Sequence, residues 1–165
     1  MLSYLTKKKN FKVLKKIILE TTEIQNGRVI NIETVSQLLK QTISSIEDDI
    51  NYFFSNTSVI INPNQINCLS VSGYKKLNGS QVSSEDIAYI LNNIKKIILE
   101  IENDDSLVHL FNSSFSLDSD NLENLPIGLF GDFYNQNMTF FLVNKNILKN
   151  IKLVFNNCGL NVEKI

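Results

Sequence analysis

The chain has 165 residues and a formal net charge of −1, with 43% hydrophobic and 20% charged residues. That composition fits one globular domain, or one domain carrying a small insertion, and excludes a disordered or low-complexity chain. The near-zero charge argues against a dedicated nucleic-acid binder, no apolar run approaches the ~18 residues of a spanning helix, and the first residues lack a secretory-signal pattern; a soluble intracellular protein is expected.

The elements follow in chain order. Lys7, Lys8, Lys9, Lys12, Lys15 and Lys16 form one basic cluster. It is either a patch that touches acidic lipid or nucleic acid, or a solvated, frayed terminus, and the second reading is preferred. Residues 10 to 20, NFKVLKKIILE, suit a strand, with a helix as the alternative. Asn26-Gly27 is a turn signal. Asn31 is placed to cap a helix in which Val35, Leu38, Leu39, Ile43, Ile46 and Ile50 recur at helical spacing. Ser58 to Ile61 reads as a short strand, Asn62-Pro63-Asn64 as a break, and Ile66 to Val71 as another strand, with turn signals at Gly73 and Gly79.

Ser83-Ser84-Glu85-Asp86 predicts a capping box. Behind it Ile87, Ile90, Leu91, Ile94, Ile98 and Ile101 form an apolar helical stripe that Asn103-Asp104-Asp105 stops. Leu107 to Phe111 with Phe115 to Leu117 reads as one irregular strand, Asp118 to Glu123 as an acidic loop, and Met138 to Val143 as a strongly apolar strand. A last helix, capped by Asn144 or Asn146, is expected to bury Ile147, Leu148, Ile151, Val154 and Phe155 and to end at Gly159. Asn, Lys and Ile are abundant and Arg28 is the only arginine. Such usage fits AT-rich coding, so each asparagine carries less turn information than usual. The mixture without repeats predicts an α+β or α/β class.

Chemistry-bearing patterns are few. His109 is the only histidine, which excludes histidine triads; its apolar strand predicts a packed, hydrogen-bonded ring. Cys68 and Cys158 are too few for a metal motif and read as buried free thiols. The pairs Asp48-Asp49 and Asp104-Asp105 are adjacent in sequence, so their carboxylates point apart and suit no shared acid–base role. Pro126-Ile127-Gly128-Leu129-Phe130-Gly131 holds glycines but leads into a strand. A phosphate loop leads into a helix and carries a lysine and a hydroxyl residue, so this segment is read as a turn.

Residues 124 to 143, NLPIGLFGDFYNQNMTFFLV, nonetheless carry a resemblance. Pro126, Gly128, Gly131 and the following strand resemble a segment of FtsA, the actin-like family of bacterial cell-division proteins. Asn150-Ile151 and Asn157-Cys158-Gly159-Leu160-Asn161-Val162-Glu163 are similar to that family's next helix and tail. Upstream, Val82 to Ile87, Val108-His109-Leu110 with Phe115 to Asp118, Asn26 to Asn31 and Val59-Ile60-Ile61 resemble further family segments in the same order. Together they span about residues 11 to 165. Asn62-Pro63 departs from the family's Ser-Gly turn. Nothing before Phe11 matches the family's first strand and its glycine-threonine phosphate turn. The family pattern also continues past Ile165 into a second phosphate-binding strand pair, a second lobe and a C-terminal amphipathic membrane helix.

The resemblance implies an α+β fold: a partial actin-like (ribonuclease H-like) subdomain over 1–64 and 144–165. An inserted SHS2-like interaction subdomain over 65–143 would have one main helix on a three-stranded sheet. It implies a divisome protein that acts in septum formation by protein–protein contact, with no catalysis of its own. Its partners would be FtsZ, other division proteins and further copies, with no nucleic acid. Its place would be the cytoplasmic face of the cell membrane, reached only indirectly. ATP and Mg serve the full-length family, and none is expected for this chain. The alternatives are an actin-like ATP-binding protein and a pilus-assembly adaptor like PilM; the Pro-Ile-Gly turn and the Cys-Gly-Leu tail favour the division protein. The partner-facing surface is assigned to Tyr74, Lys75, Lys76, Asn78, Glu102, Asp104 and Asp105, as residues of turns and helix ends.

Overall fold

The computed structural model describes residues 2–5, 11–62, 64 and 66–165, with side chains from Val13 onward. Lys7, Lys8, Lys9, the side chain of Lys12, Pro63 of the altered turn and Gln65 therefore lie outside the described residues. The chain is α+β and divides into two compact units: Met1–Asn64 with Ile147–Ile165, and Gln65–Asn146.

The first unit is built of short pairings. Strand β1 (Leu2–Leu5) runs antiparallel to β2 (Phe11–Lys15), so the strand expected over 10–20 ends by Lys15. β3 (Ile24–Gln25) and β4 (Arg28–Val29) form a tiny hairpin around Asn26-Gly27, both at positive φ as a primed turn requires. Helix α1 (Ile32–Ile50) starts where Asn31 Oδ1 accepts the Thr34 amide at 3.0 Å. It buries Val35, Ser36 and Ile46, while Lys15 pairs with Asp49 on its side.

After β5 (Asn56–Ser58), the unit resumes in helix α3 (Lys145–Asn157), which buries Ile147, Ile151 and Val154. Leu148 and Phe155, also expected inside, are only half-buried. Asn144 Oδ1 accepts the Asn146 amide at 3.0 Å, which settles the cap. The helix ends in a Schellman turn at Gly159 (φ 79), with Leu160 N donating to Phe155 O and Gly159 N to Asn156 O. β10 (Asn161–Lys164) then pairs parallel with β5. The strand expected over Ser58–Ile61 thus lies two residues earlier. Val59 N still reaches Lys164 O, but Ile60 is 93% exposed. Asn157 Nδ2 donates to Ser36 Oγ and Cys158 Sγ to Ser36 O, each at 3.3 Å. Burial pushes the Cys158 thiol up from its ordinary value.

The second unit is one antiparallel sheet and one helix. β6 (Asn67–Lys76), β9 (Phe133–Asn144), β7 (Asp105–Leu117) and β8 (Asp120–Leu122) lie side by side in that order. The acidic stretch expected to be a loop therefore supplies a fourth, short strand beyond the three the resemblance implies. β7 is one irregular strand with register shifts between Leu107 and His109 and between Asn112 and Ser114. Central β9 alternates from Phe133 to Leu142: Tyr134, Gln136, Met138, Phe140 and Leu142 are all buried, and Val143 is buried beside Leu142.

Helix α2 (Ser84–Ile101) covers that face with Ile90, Ile94 and Ile98; Ile87 and Leu91 pack at its border, and Ile101 is exposed where the helix overhangs its last turn. Gly73, expected in a turn, sits inside β6. A Cβ there would overlap Ile90 Cγ2 and lie 2.5 Å from Ile94 Cδ1. The glycine marks the close approach of helix to sheet. Buried polar groups are satisfied: Tyr134 OH donates to Gln136 Oε1 at 3.2 Å, and Gln136 Nε2 to Asn112 Oδ1 at 2.7 Å.

Two further expectations change on the outward face of this sheet. His109 is exposed, its ring edge-on to Phe111 at 4.3 Å, and Cys68 is exposed as well. Both occupy the outward phase of strands whose other phase faces α2, opposite outward Phe141. An apolar run alone does not reveal which side of a strand a residue takes.

Candidate contact surface

The seven assigned residues split between opposite ends of the second unit. Tyr74 lies opposite Asn135 on β9, and Asp105 opposite Asn144. Nine steps along β9 separate those rungs, about 30 Å at the usual rise of ~3.3 Å per residue. They do not form one surface.

At the first end, Tyr74, Lys75 and Lys76 belong to β6 rather than to a turn, because Gly73 does not break the strand. Tyr74 is 74% exposed, and Lys76 Nζ lies 5.9 Å from the Phe133 ring centroid. Asn78 (φ 54) and Gly79 (φ 77) make the turn. Lys75 is occupied: its ammonium pairs with the Asp86 carboxylate and sits 5.1 Å from the Tyr89 ring. Asp86 also closes the capping box, accepting from Ser83 N and Ser83 Oγ at 2.8 Å each, while its own amide donates to Ser83 Oγ. The Lys75 contact, followed by the Ser83 amide, holds the Asp86 carboxyl below its usual range against a smaller opposing push from burial. Lys75 thus has a partner within its own unit.

At the other end, Glu102 is the half-buried C-cap of α2 and Asp104 is exposed. Asp105 is 8% exposed and accepts from Asn67 Nδ2 at 2.7 Å. Sequence spacing placed it at a helix end; the fold makes it the first residue of β7.

The Pro-Ile-Gly segment is the feature that sequence reasoning undervalued. Its backbone is pinned from both sides: Val82 N donates to Leu129 O, Gly128 N to Val82 O, Gly131 N to Ser80 O and Leu77 N to Asp132 O, at 2.7–3.3 Å. Asp118 Oδ1 accepts the Asp132 and Phe133 amides at 2.9 and 2.8 Å. Gly128 holds φ 86, and at Gly131 a Cβ would come within 2.5 Å of Leu117 Cδ1. With those amides committed to protein oxygens, the turn presents no cluster of donors of the kind a phosphate loop uses.

Pinning the backbone turns the large side chains outward. Leu125, Ile127, Leu129, Phe130 and Phe133 are all exposed beneath a buried Pro126. Asp120, Glu123 and Asp132 are exposed along the same stretch. Five large apolar side chains within nine residues of a rigid loop exceed the scattered exposure normal for a surface. The signal available in the sequence was the glycine spacing itself, which breaks any alternation that could bury these residues.

Among the described residues, no helix is long and apolar enough to cross a membrane, and no three of His, Cys, Asp or Glu gather as a metal site would require.

No protein-family model matches the chain. Similarity to curated proteins is nevertheless extensive. The chain is 23% identical over 148 residues to cell division protein FtsA of Buchnera aphidicola from Schizaphis graminum, covering 90% of this chain and 35% of that protein. It is 20% identical over 142 residues to FtsA of the Acyrthosiphon pisum strain, and 21% identical over 140 residues to FtsA of the Baizongia pistaciae strain, covering 86% and 85% of this chain. The chain spans about a third of the length of these relatives. Over nearly its whole described length, then, this α+β chain is similar to the cell-division protein FtsA.

Proposed function

We propose that the chain is a division protein of the FtsA type that works by protein–protein contact and carries out no reaction of its own. The observation that carries this reading is similarity to FtsA over 90% of the chain. In this reading the Gln65–Asn146 unit is the SHS2-like contact module, and the short-stranded unit is part of an actin-like subdomain. Division proteins, FtsZ among them, are its partners, and it acts at the cytoplasmic face of the membrane without entering the bilayer. Tyr74, Lys76 and Asn78 at one end, and Glu102 and Asp104 at the other, remain its candidate contact residues.

Absence of catalysis and of nucleotide binding is part of the proposal. Its physical support is the loop backbone: amides that could converge on a phosphate already donate to Val82, Ser80 and Asp118 oxygens. The decisive experiment is a fluorescent fusion of the chain in a dividing bacterium that carries FtsA. Concentration at the division site supports the reading, and uniform distribution through the cell overturns it. Calorimetry with Mg-ATP checks the second part; heat consistent with micromolar affinity would refute it.

A further inference from the structure

An open cleft of about 520 Å³ lies within the first unit, and α1 lends it Leu39, Ile43 and Ile46. One wall carries the alternation of β2 past its last residue. Lys15, Ile17 and Leu19 line the cleft, while Lys16 and Ile18 between them are exposed, and β1 pairs with β2 only as far as Lys15. Another wall is β5, from Asn56 to Ser58. Its backbone shows what fits there. Ser55 O accepts the Asn161 amide at 2.8 Å, and the Val59 amide donates to Lys164 O at 2.9 Å. Ser55 and Val59 thus address β10. The alternation of a strand then turns the N–H and C=O groups of Asn56 and Ser58 the other way, to the side of the cleft. Among the described residues, no strand besides β10 pairs with β5.

We propose that this cleft takes an extended segment of a partner polypeptide, which adds to the edge of β5 as a strand. Its branched apolar side chains, at alternate positions, cover Leu39, Ile43 and Ile46. Backbone chemistry decides among the occupants. A purely apolar small molecule would cover Asn56 and Ser58 and leave their backbone groups without partners, which costs free energy. A strand brings amides and carbonyls at the spacing those groups require, as peptides do when they add to sheet edges in general. Addition also makes β5 a central strand, the usual setting of a parallel pair. The exposed β-branched run of a second copy, Val59-Ile60-Ile61, does not supply that strand. It is short and already tied to β10 through the Val59 amide. This inference stands on the geometry of one unit and does not rest on the division reading.

The test uses the full chain and a synthetic peptide, acetyl-Ser-Val-Thr-Val-Thr-Val-Ser-amide, in calorimetry, with amide exchange followed by NMR. The peptide should bind with a dissociation constant below about 1 mM and slow exchange of the Asn56 and Ser58 amides. A version N-methylated on its central amides should bind about tenfold more weakly, because its backbone bonds are lost. Ser58→Pro removes the donor on the cleft side. Sheet edges accept proline where the N–H faces away from the neighbouring strand, so the melting midpoint should hold while peptide affinity falls about tenfold. Ile43→Asp sets a carboxylate against the apolar side of the peptide. It should abolish binding, and it provides a second variant if Ser58→Pro disturbs folding. A peptide that fails to bind, or one that binds without slowing exchange at Ser58, overturns the proposal. Equal binding of the N-methylated peptide would assign the cleft to small apolar ligands, and also overturns it. So does dimerisation in sedimentation velocity that protects the Ser58 amide without peptide, which would assign the cleft to a second copy.

Discussion

The two units use similar residues to very different effect. In the Gln65–Asn146 unit, a ten-residue strand, a twelve-residue strand and a thirteen-residue strand share one sheet, and α2 lies across one face. Each inward residue of β9 then has neighbours on both sides and above, which is how Met138, Phe140 and Leu142 reach zero exposure. The other unit has, among the described residues, three separate two-stranded pairings. Such pairings are marginal alone, and the β5–β10 pair is parallel, an arrangement normally found covered on both faces. Its apolar surplus shows as an open cleft of about 520 Å³, bordered by Leu39, Ile43, Ile46, Phe54, Phe155 and Leu160. Apolar content does not determine burial; the number of strands sharing a sheet does.

The sharpest way to break this comparison is to truncate the centre of the larger sheet. Phe140→Ala removes a ring at zero exposure between β6 and β7 and should cost ~3–5 kcal/mol in denaturant melts. A cost under ~1 kcal/mol would show that β9 is not the keystone of that unit.

Gly73→Ala comes next. Its new Cβ would meet Ile90 and Ile94 at the closest approach of α2 to the sheet. Overpacking of this kind costs ~1–3 kcal/mol. A stabilised variant, as expected for an ordinary glycine inside a strand, would mean that α2 moves away freely.

Asp86→Ala should cost more than Ser83→Ala, which loses only a cap worth ~1 kcal/mol. Asp86 closes the capping box and also faces Lys75. The pH dependence follows from the lowered carboxyl. Its contribution is present above the unfolded-state value and is lost as pH falls through the depressed folded-state value. Wild type should therefore lose stability more steeply than Asp86→Ala on the acid side of pH 4, where unfolded aspartate titrates (~3.9). Tyr134 gives the opposite limb: burial pushes its phenol up to about 12, so its contribution holds below pH ~10 and disappears as pH rises through 12. Equal acid limbs in the two proteins would remove Asp86 from the account.

What could be read from the sequence follows the same division. The capping box at Ser83, the cap at Asn31, the Asn-Gly turn and the apolar strand over Met138–Val143 are local signals, and the sequence shows them directly. The end of the Ser58–Ile61 strand, the continuation of β6 through Gly73 and the side taken by His109 and Cys68 depend on partners distant in sequence. Gly73 reads as a turn until Ile90 and Ile94 are seen above it. Of the candidate contact residues, Lys75 and Asp105 also have partners that the sequence does not show side by side: Asp86 and Asn67, which engage them, are 11 and 38 residues away. The outward side chains of the Pro-Ile-Gly loop were signalled only by the glycine spacing; the tertiary bonds to Val82, Ser80 and Leu77 decide which way they point.

The smallest expected effect tests the weak side of the comparison. Ile60 lies in a run of β-branched residues, Val59-Ile60-Ile61, whose local preference is for a strand. In the fold, β5 ends at Ser58, the Val59 amide makes the last bond to β10, and Ile60 stands 93% exposed. Ile60→Ala should then change stability by no more than ~0.5 kcal/mol, as for surface positions generally. The same substitution at buried Ile94 in α2 should cost ~2–5 kcal/mol. The two variants share one chemical change, so their difference isolates what each unit does with an isoleucine. If Ile60→Ala costs as much as Ile94→Ala, the parallel pair is longer than three residues. Ile60 would then be inside an interface that the short pairing does not provide, and the contrast between the units would fail at its weakest strand.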